Sequence, residues 1–76
     1  MTPRLPRVSG KDVKKALLKA GFRELHTRGS HHYFESAQGG KLVTVPIHGI
    51  KILKPKTLKR ILEQADLSVD ELVEML

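Results

Sequence analysis

Seventy-six residues confine the chain to one domain, since independent domains run from about 50 to 250 residues. At this size only about 60% of the unfolded surface is buried, so the core must be compact. Fourteen Lys and Arg oppose eight Asp and Glu, for a formal charge of +6. The charge is sorted along the chain. Residues 1–60 hold every base against Asp12, Glu24 and Glu35, which makes +11; residues 61–76 hold Glu63, Asp66, Asp70, Glu71 and Glu74, which makes −5. The basic stretch calls for a polyanion partner. The absence of cysteine excludes disulfide frameworks, Cys-rich zinc sites and thiol catalysis. No apolar run approaches the about 20 residues of a spanning helix. Residues 1–8 lack the apolar segment of a secretory signal. The expectation is a soluble cytoplasmic protein without a membrane role.

Residues 1–8, with Pro3 and Pro6, read as a flexible lead-in to a single domain over 9–76. Ser9 is a good N-cap with Asp12 three positions on. Val13, Ala16, Leu17 and Ala20 follow at helical spacing and Gly21 supplies the stop, which predicts a helix over about 10–20. Its outer face carries Lys11, Lys14, Lys15 and Lys19. Three strands follow, at about 22–28, 31–36 and 41–46, divided by Gly29-Ser30 and by Ala37-Gln38-Gly39-Gly40. Residues 47–53 form a connection. Pro55 opens a second helix with the stripe Leu58, Ile61, Leu62 and Ala65. Ser68 and Glu71 then form a capping box for a short third helix ending in Leu72, Val73, Met75 and Leu76, which can pack within the chain or against another.

The predicted order is therefore α-β-β-β-α with an extra short C-terminal helix, an α+β domain. A three-stranded antiparallel sheet is covered on one face by the two main helices. Phe34, Val43 and Val45 face those helices, and the other sheet face stays open. Because residues on a strand alternate faces, His32 shares the side of Phe34, while His31 and Tyr33 point to the open side.

Reactive side chains concentrate in Arg28-Gly29-Ser30-His31-His32-Tyr33-Phe34. His31 follows a glycine turn on the open face, where an imidazole can move protons near neutral pH. Expected beside it are Arg28 and Lys41, cations suited to an RNA phosphate, with Gly29 and Ser30 letting the backbone approach closely. The plainer reading leaves His31 as an idle surface histidine, His32 as a structural one, and Tyr33 as a sheet-face or stacking residue. A second basic element comprises Lys51, Lys54, Lys56, Lys59 and Arg60. Lys54, Lys56 and the backbone donors of residues 55–57 cluster at the start of helix two, where they favour an anion; the alternative is a solvated helix face. His48-Gly49, just after the third strand, reads either as a ligand-reaching loop or as a turn with an idle imidazole. Four histidines without a His-Glu-x-x-His helix or nearby carboxylates argue against a bound metal.

These residues resemble the HicA family of toxin mRNA interferases, also called YcfA-like proteins. The resemblance covers Ser9-Gly10-Lys11-Asp12-Val13 and Lys19-Ala20-Gly21-Phe22, then Arg28-Gly29-Ser30-His31-His32-Tyr33-Phe34 and Val43-Thr44-Val45-Pro46-Ile47-His48. It closes with Leu53 through Leu62 and Ala65-Asp66-Leu67-Ser68. It implies a double-stranded-RNA-binding-like fold, ribosome-independent cleavage of mRNA, and neutralisation by a HicB-type antitoxin protein. The family's essential histidine directly follows Gly-Ser, which here is His31. Two departures stand out. Lys56 and Asp66 occupy positions where the family often has glycine, and the second puts the stop of helix two in question.

Without a carboxylate cluster, two-metal hydrolysis has no ligands, and no cofactor is implied. A histidine with nearby cations suits transfer of a 2′-hydroxyl oxygen onto the adjacent phosphate. His31 would be general base, or general acid toward the leaving 5′-oxygen, with Arg28, Lys41 or Lys54 stabilising the phosphate. One histidine cannot do both at once, so turnover should be modest. The main rival is a non-catalytic double-stranded-RNA-binding module, which has the same element order and basic second helix. A third reading gives the basic surface to an acidic protein partner, and this is compatible with the first, since an antitoxin masking the RNA site should be acidic there.

Overall fold

The computed structural model describes residues 4–76. Six elements follow in order: α1 (Gly10–Lys19), β1 (Arg23–Arg28), β2 (His31–Glu35), β3 (Leu42–Pro46), α2 (Pro55–Ala65) and α3 (Val69–Met75). This is the expected α-β-β-β-α order with a further helix. The strands form one antiparallel sheet in the order β1-β2-β3.

Each helix begins and ends for a visible reason. Ser9 accepts from the Asp12 N–H while the Asp12 carboxylate accepts from the Ser9 N–H, a complete capping box. Ser68 and Glu71 repeat the arrangement at α3. After α1, the Phe22 N–H donates to Leu17 O and the Gly21 N–H to Leu18 O, a Schellman closure. The same pair of bonds ends α2, from Leu67 to Leu62 and from Asp66 to Glu63. Asp66 takes the left-handed conformation itself, with φ 56°. The helix therefore stops where a glycine would have stopped it.

The apolar stripes meet on one face of the sheet. Phe34, Val43 and Val45 from the strands, Val13 and Leu17 from α1, and Leu58 and Ile61 from α2 are all buried. Leu72 of α3 is buried too, whereas Val73 and Leu76 remain exposed. Full burial of a side chain the size of Phe34 contributes about 1.5–3 kcal/mol. The β1 strand projects beyond this core, and apart from half-buried Glu24 its residues are exposed. What bridges it to the helices is charge: Lys14 of α1 reaches Glu24 at 3.2 Å, and Glu24 in turn lies 2.6 Å from His32 Nδ1.

Packing starts ahead of Ser9. Val8 is part of the core, its carbonyl accepts from the Leu53 N–H at 2.8 Å, and Leu5 packs against the same cluster. A lead-in running to residue 8 is therefore too long, because Val8 is apolar and its backbone finds a partner in the 47–53 connection; residues 1–3 lie outside the described residues. Ser9 also bridges to Ile52. At the start of α1, a Cβ on Gly10 would collide with the Pro46 carbonyl and sit 2.9 Å from the Ile47 side chain. Glycine thus lets the first turn of α1 lie directly on the end of β3.

Candidate functional site

The β1–β2 hairpin is closed by only two residues. Gly29 has φ +60°, while Ser30 is not among the positive-φ residues. A positive φ at the first central position alone is the pattern of a type II′ turn, which favours glycine there and matches the twist of the flanking strands. The turn makes Arg28 and His31 direct cross-strand partners. His31 pairs on its other side with Pro46, so Arg28, His31 and Pro46 form one row across the open face. Both Arg28 and His31 are exposed. The space over Gly29 is empty to 4 Å, and the Ser30 carbonyl accepts from the Ile47 N–H at 2.8 Å. That last bond extends the β3 pairing and ties the 47–53 connection to the hairpin.

Pro46 also begins a second feature. A cleft of about 220 Å³ is lined by Pro46, His48, Lys51, Ile52, Lys54 and Thr57, together with Leu53. Its floor is the opening of α2. Lys54 is the N-cap and makes no side-chain cap bond, Pro55 lacks an N–H, and no acidic residue lies in the first turn. The N–H groups of Lys56 and Thr57 have no partner within the helix, and the helix dipole favours negative charge there. The tight turn from His48 to Lys51, closed by a 3.0 Å backbone bond, brings His48 and Lys51 to the cleft mouth.

The remaining basic residues separate from this region. Lys41 is not beside His31. It precedes Leu42, which pairs with Glu35 at the other end of the sheet, roughly 14–17 Å away at about 3.4 Å per residue. There Lys41 contacts Asp66 at 3.3 Å. The expected strands already implied this, because a hairpin joining 31–36 to 41–46 sets residue 41 opposite residue 36, at the far end from His31. Lys59 borders a different groove with Leu5, Leu62, Glu63 and Asp66. Arg60 is exposed on α2 and is not among the residues lining the cleft. On α1, Lys14 is engaged by Glu24, and Lys15 and Lys19 border a groove with Met75 and Leu76. The α1 lysines and the hairpin therefore do not form one track. Lys51 was visible only as part of a basic run, and the Thr57 side chain, unlike its backbone N–H, carried no sequence signal.

The four histidines are in four different settings. His32 lies under the sheet against Glu24, with Thr27 Oγ1 at 3.5 Å. Hydrogen bonding from His32, reinforced by Lys14, holds the Glu24 carboxyl below its usual 4.5 despite partial burial. His26 stacks on Tyr33, His31 stands on the open face, and His48 is in the turn. No cluster of three or more His, Asp or Glu side chains suited to a metal occurs among the described residues. No helix among them is long and apolar enough to cross a membrane.

Fold and site together define a small basic α+β domain. Its sheet is covered on one face and open on the other, with a histidine hairpin beside a lysine-lined helix start. A family model described as "HicA toxin of bacterial toxin-antitoxin" matches residues 10–67. The chain belongs to the HicA family of toxins, and an antitoxin partner is the corollary of that membership. A search of curated proteins returned no match.

Proposed function

We propose that this chain is the toxin of a type II toxin–antitoxin pair, acting in the cytoplasm as a ribosome-independent endoribonuclease on mRNA. The observation that carries the reading is the row Arg28–His31–Pro46. It sets an exposed imidazole between a guanidinium and a cleft holding Lys51 and Lys54. That is the arrangement phosphate-centred proton transfer requires.

In the proposed reaction, His31 takes the proton of a ribose 2′-hydroxyl. The 2′-oxygen attacks the adjacent phosphorus, the bond to the 5′-oxygen breaks, and that oxygen takes its proton from solvent water, while His31 later returns the proton it gained to solvent. The products are a 2′,3′-cyclic phosphate and a 5′-hydroxyl. Arg28 and Lys54 stabilise the charge gathering on the phosphate oxygens, with the Lys56 and Thr57 amides as further donors. Gly29 and Ser30 shape the approach. Lys56 and Lys59, one turn apart on α2, contact the RNA backbone beyond the cleft, and Lys41, at the far end of the sheet, contacts a more distant phosphate. The chemistry calls on no metal or cofactor.

A HicB-type antitoxin would inhibit by covering the Arg28–His31 row with an acidic surface. Inducing the wild-type chain and His31→Ala in a bacterial host tests the reading. Growth arrest with mRNA loss is expected for the first alone. Equal arrest by both would remove His31 from the chemistry. Stoichiometric RNA binding with no cleavage would favour the rival, a non-catalytic double-stranded-RNA-binding module.

A further inference from the structure

One rung along the sheet from the Arg28–His31 row, His26 and Tyr33 stack face to face, with ring centroids 4.5 Å apart and planes 16° from parallel. They are register partners on adjacent strands and share the open face with His31, so they pack against none of the buried core. Thr44 is the next residue in that row. Because the strands run in the order β1-β2-β3, the ring face of Tyr33 that does not meet His26 turns toward Thr44. Thr44 is short, and it lies between exposed Leu42 and Pro46 on the same strand face. The open face thus presents an aromatic ring with a short neighbour and an apolar flank. The nearest carboxylate on this face, Glu35, is held by Arg23 at 2.8 Å, so the Tyr33 region is flanked by positive or neutralised groups. At its outer edge the Gln64 carbonyl oxygen accepts from the Thr44 N–H, which leaves the Gln64 amide hydrogens to the solvent side.

From this geometry we infer that the open sheet face binds an unpaired nucleobase, stacked on Tyr33, next to the phosphate held by the Arg28–His31 row. The inference rests on the RNA-cleaving reading and narrows its substrate to single-stranded RNA. Tyr33 is two residues from His31 on one face, roughly 7 Å at about 3.4 Å per residue, a separation that one extended nucleotide can span. Stacking needs the flat face of a base released from its neighbours. A duplex shows phosphates and groove edges but no such face. The positive charge around Tyr33 fits a phosphate backbone as occupant.

The chain supplies its own reporter, because Tyr33 is its one tyrosine and tryptophan is absent. The test measures tyrosine emission and binding with three probes. These are a short single-stranded 2′-O-methyl oligoribonucleotide, an abasic strand of the same length and backbone, and the duplex of the first strand. None has the 2′-hydroxyl nucleophile, so binding is read apart from cleavage. The single strand should quench Tyr33 and bind about five- to a hundredfold tighter than the abasic strand, the span expected for one stacked base. Tyr33→Phe should keep that advantage and Tyr33→Leu should lose it. Equal binding of the single and abasic strands with unchanged emission overturns the inference, as does quenching by the duplex alone. An emission change produced by the antitoxin and by none of the three probes also overturns it and assigns the face to protein. Cleavage of unmodified RNA is scored separately. Base-dependent quenching without cleavage sinks the nuclease reading and upholds this one; cleavage with no base dependence does the reverse.

Discussion

Gly29→Ala isolates what the hairpin turn contributes. A Cβ at Gly29 meets nothing within 4 Å, so no steric clash enters and the whole effect comes from φ +60°. The first central position of a type II′ turn holds an L-residue in a sparsely populated backbone region, at a cost of about 1–3 kcal/mol. A domain of 76 residues has a total stability of about 4–11 kcal/mol at 0.05–0.15 kcal/mol per residue. The variant should therefore fold but melt earlier. At about 4–8 °C per kcal/mol for a domain of this size, Tm should fall by roughly 4–24 °C. Asn tolerates positive φ better than Ala, so Gly29→Asn should lose less. Circular dichroism melts of the three proteins give the ranking Gly, then Asn, then Ala. RNA cleavage by the folded Ala variant should also drop, because the turn sets the Arg28–His31 pairing. A Gly29→Ala protein with the wild-type Tm, or one more stable than Gly29→Asn, would refute the reasoning.

Three further outcomes are expected. Asp66→Gly relieves a left-handed aspartate and gives up an exposed ion pair to Lys41, which is worth under about 1 kcal/mol. Tm should rise by several degrees, and a fall would show that the ion pair outweighs the backbone strain. The Glu24 carboxyl is held below 4.5 in the fold, first by His32 and then by Lys14. Its folded value lies under its unfolded one, so the stabilisation is complete above about pH 4.5 and is lost as pH falls through the folded value. Melts of wild type and Glu24→Gln should converge at low pH, and parallel curves would contradict the linkage. Replacing Lys51 and Lys54 together by Ala should weaken single-stranded RNA binding and flatten its log–log salt slope by about 1.4, at about 0.7 per phosphate contact. An unchanged slope would take the RNA backbone out of the cleft.

The architecture was legible because local signals agreed with one another. Ser9 with Asp12, Pro55, and Ser68 with Glu71 marked helix starts that the structure repeats. Gly29-Ser30 marked a hairpin whose strands alternate as read, with Phe34 inward and His31 outward. The position of Lys41 was legible but misread, since strands at 31–36 and 41–46 joined by a short loop set residue 41 opposite residue 36 and Pro46 opposite His31. The sides of α2 taken by Lys59 and Arg60 follow from helical spacing only once the packed face is known. The joining of the Arg28–His31 row to the Lys51–Lys54 cleft through Pro46 is a tertiary event. So is the His26–Tyr33 stack, which depends on the bulge between Glu24 and His26 that shifts the register. Asp66 was the one local conflict, and the backbone resolved it by taking the left-handed conformation at a modest cost.

Removal of the ribose 2′-hydroxyl proton by His31 beside an RNA phosphate is tested most directly by the chemistry of the cut ends. An RNA cleaved by the purified chain in the presence of EDTA, analysed by mass spectrometry, should carry a 2′,3′-cyclic phosphate and a 5′-hydroxyl. A single 2′-deoxy substitution at the cut position, or His31→Ala in the protein, should abolish the products. A 3′-hydroxyl with a 5′-phosphate, or cleavage that persists through either change, would contradict the account.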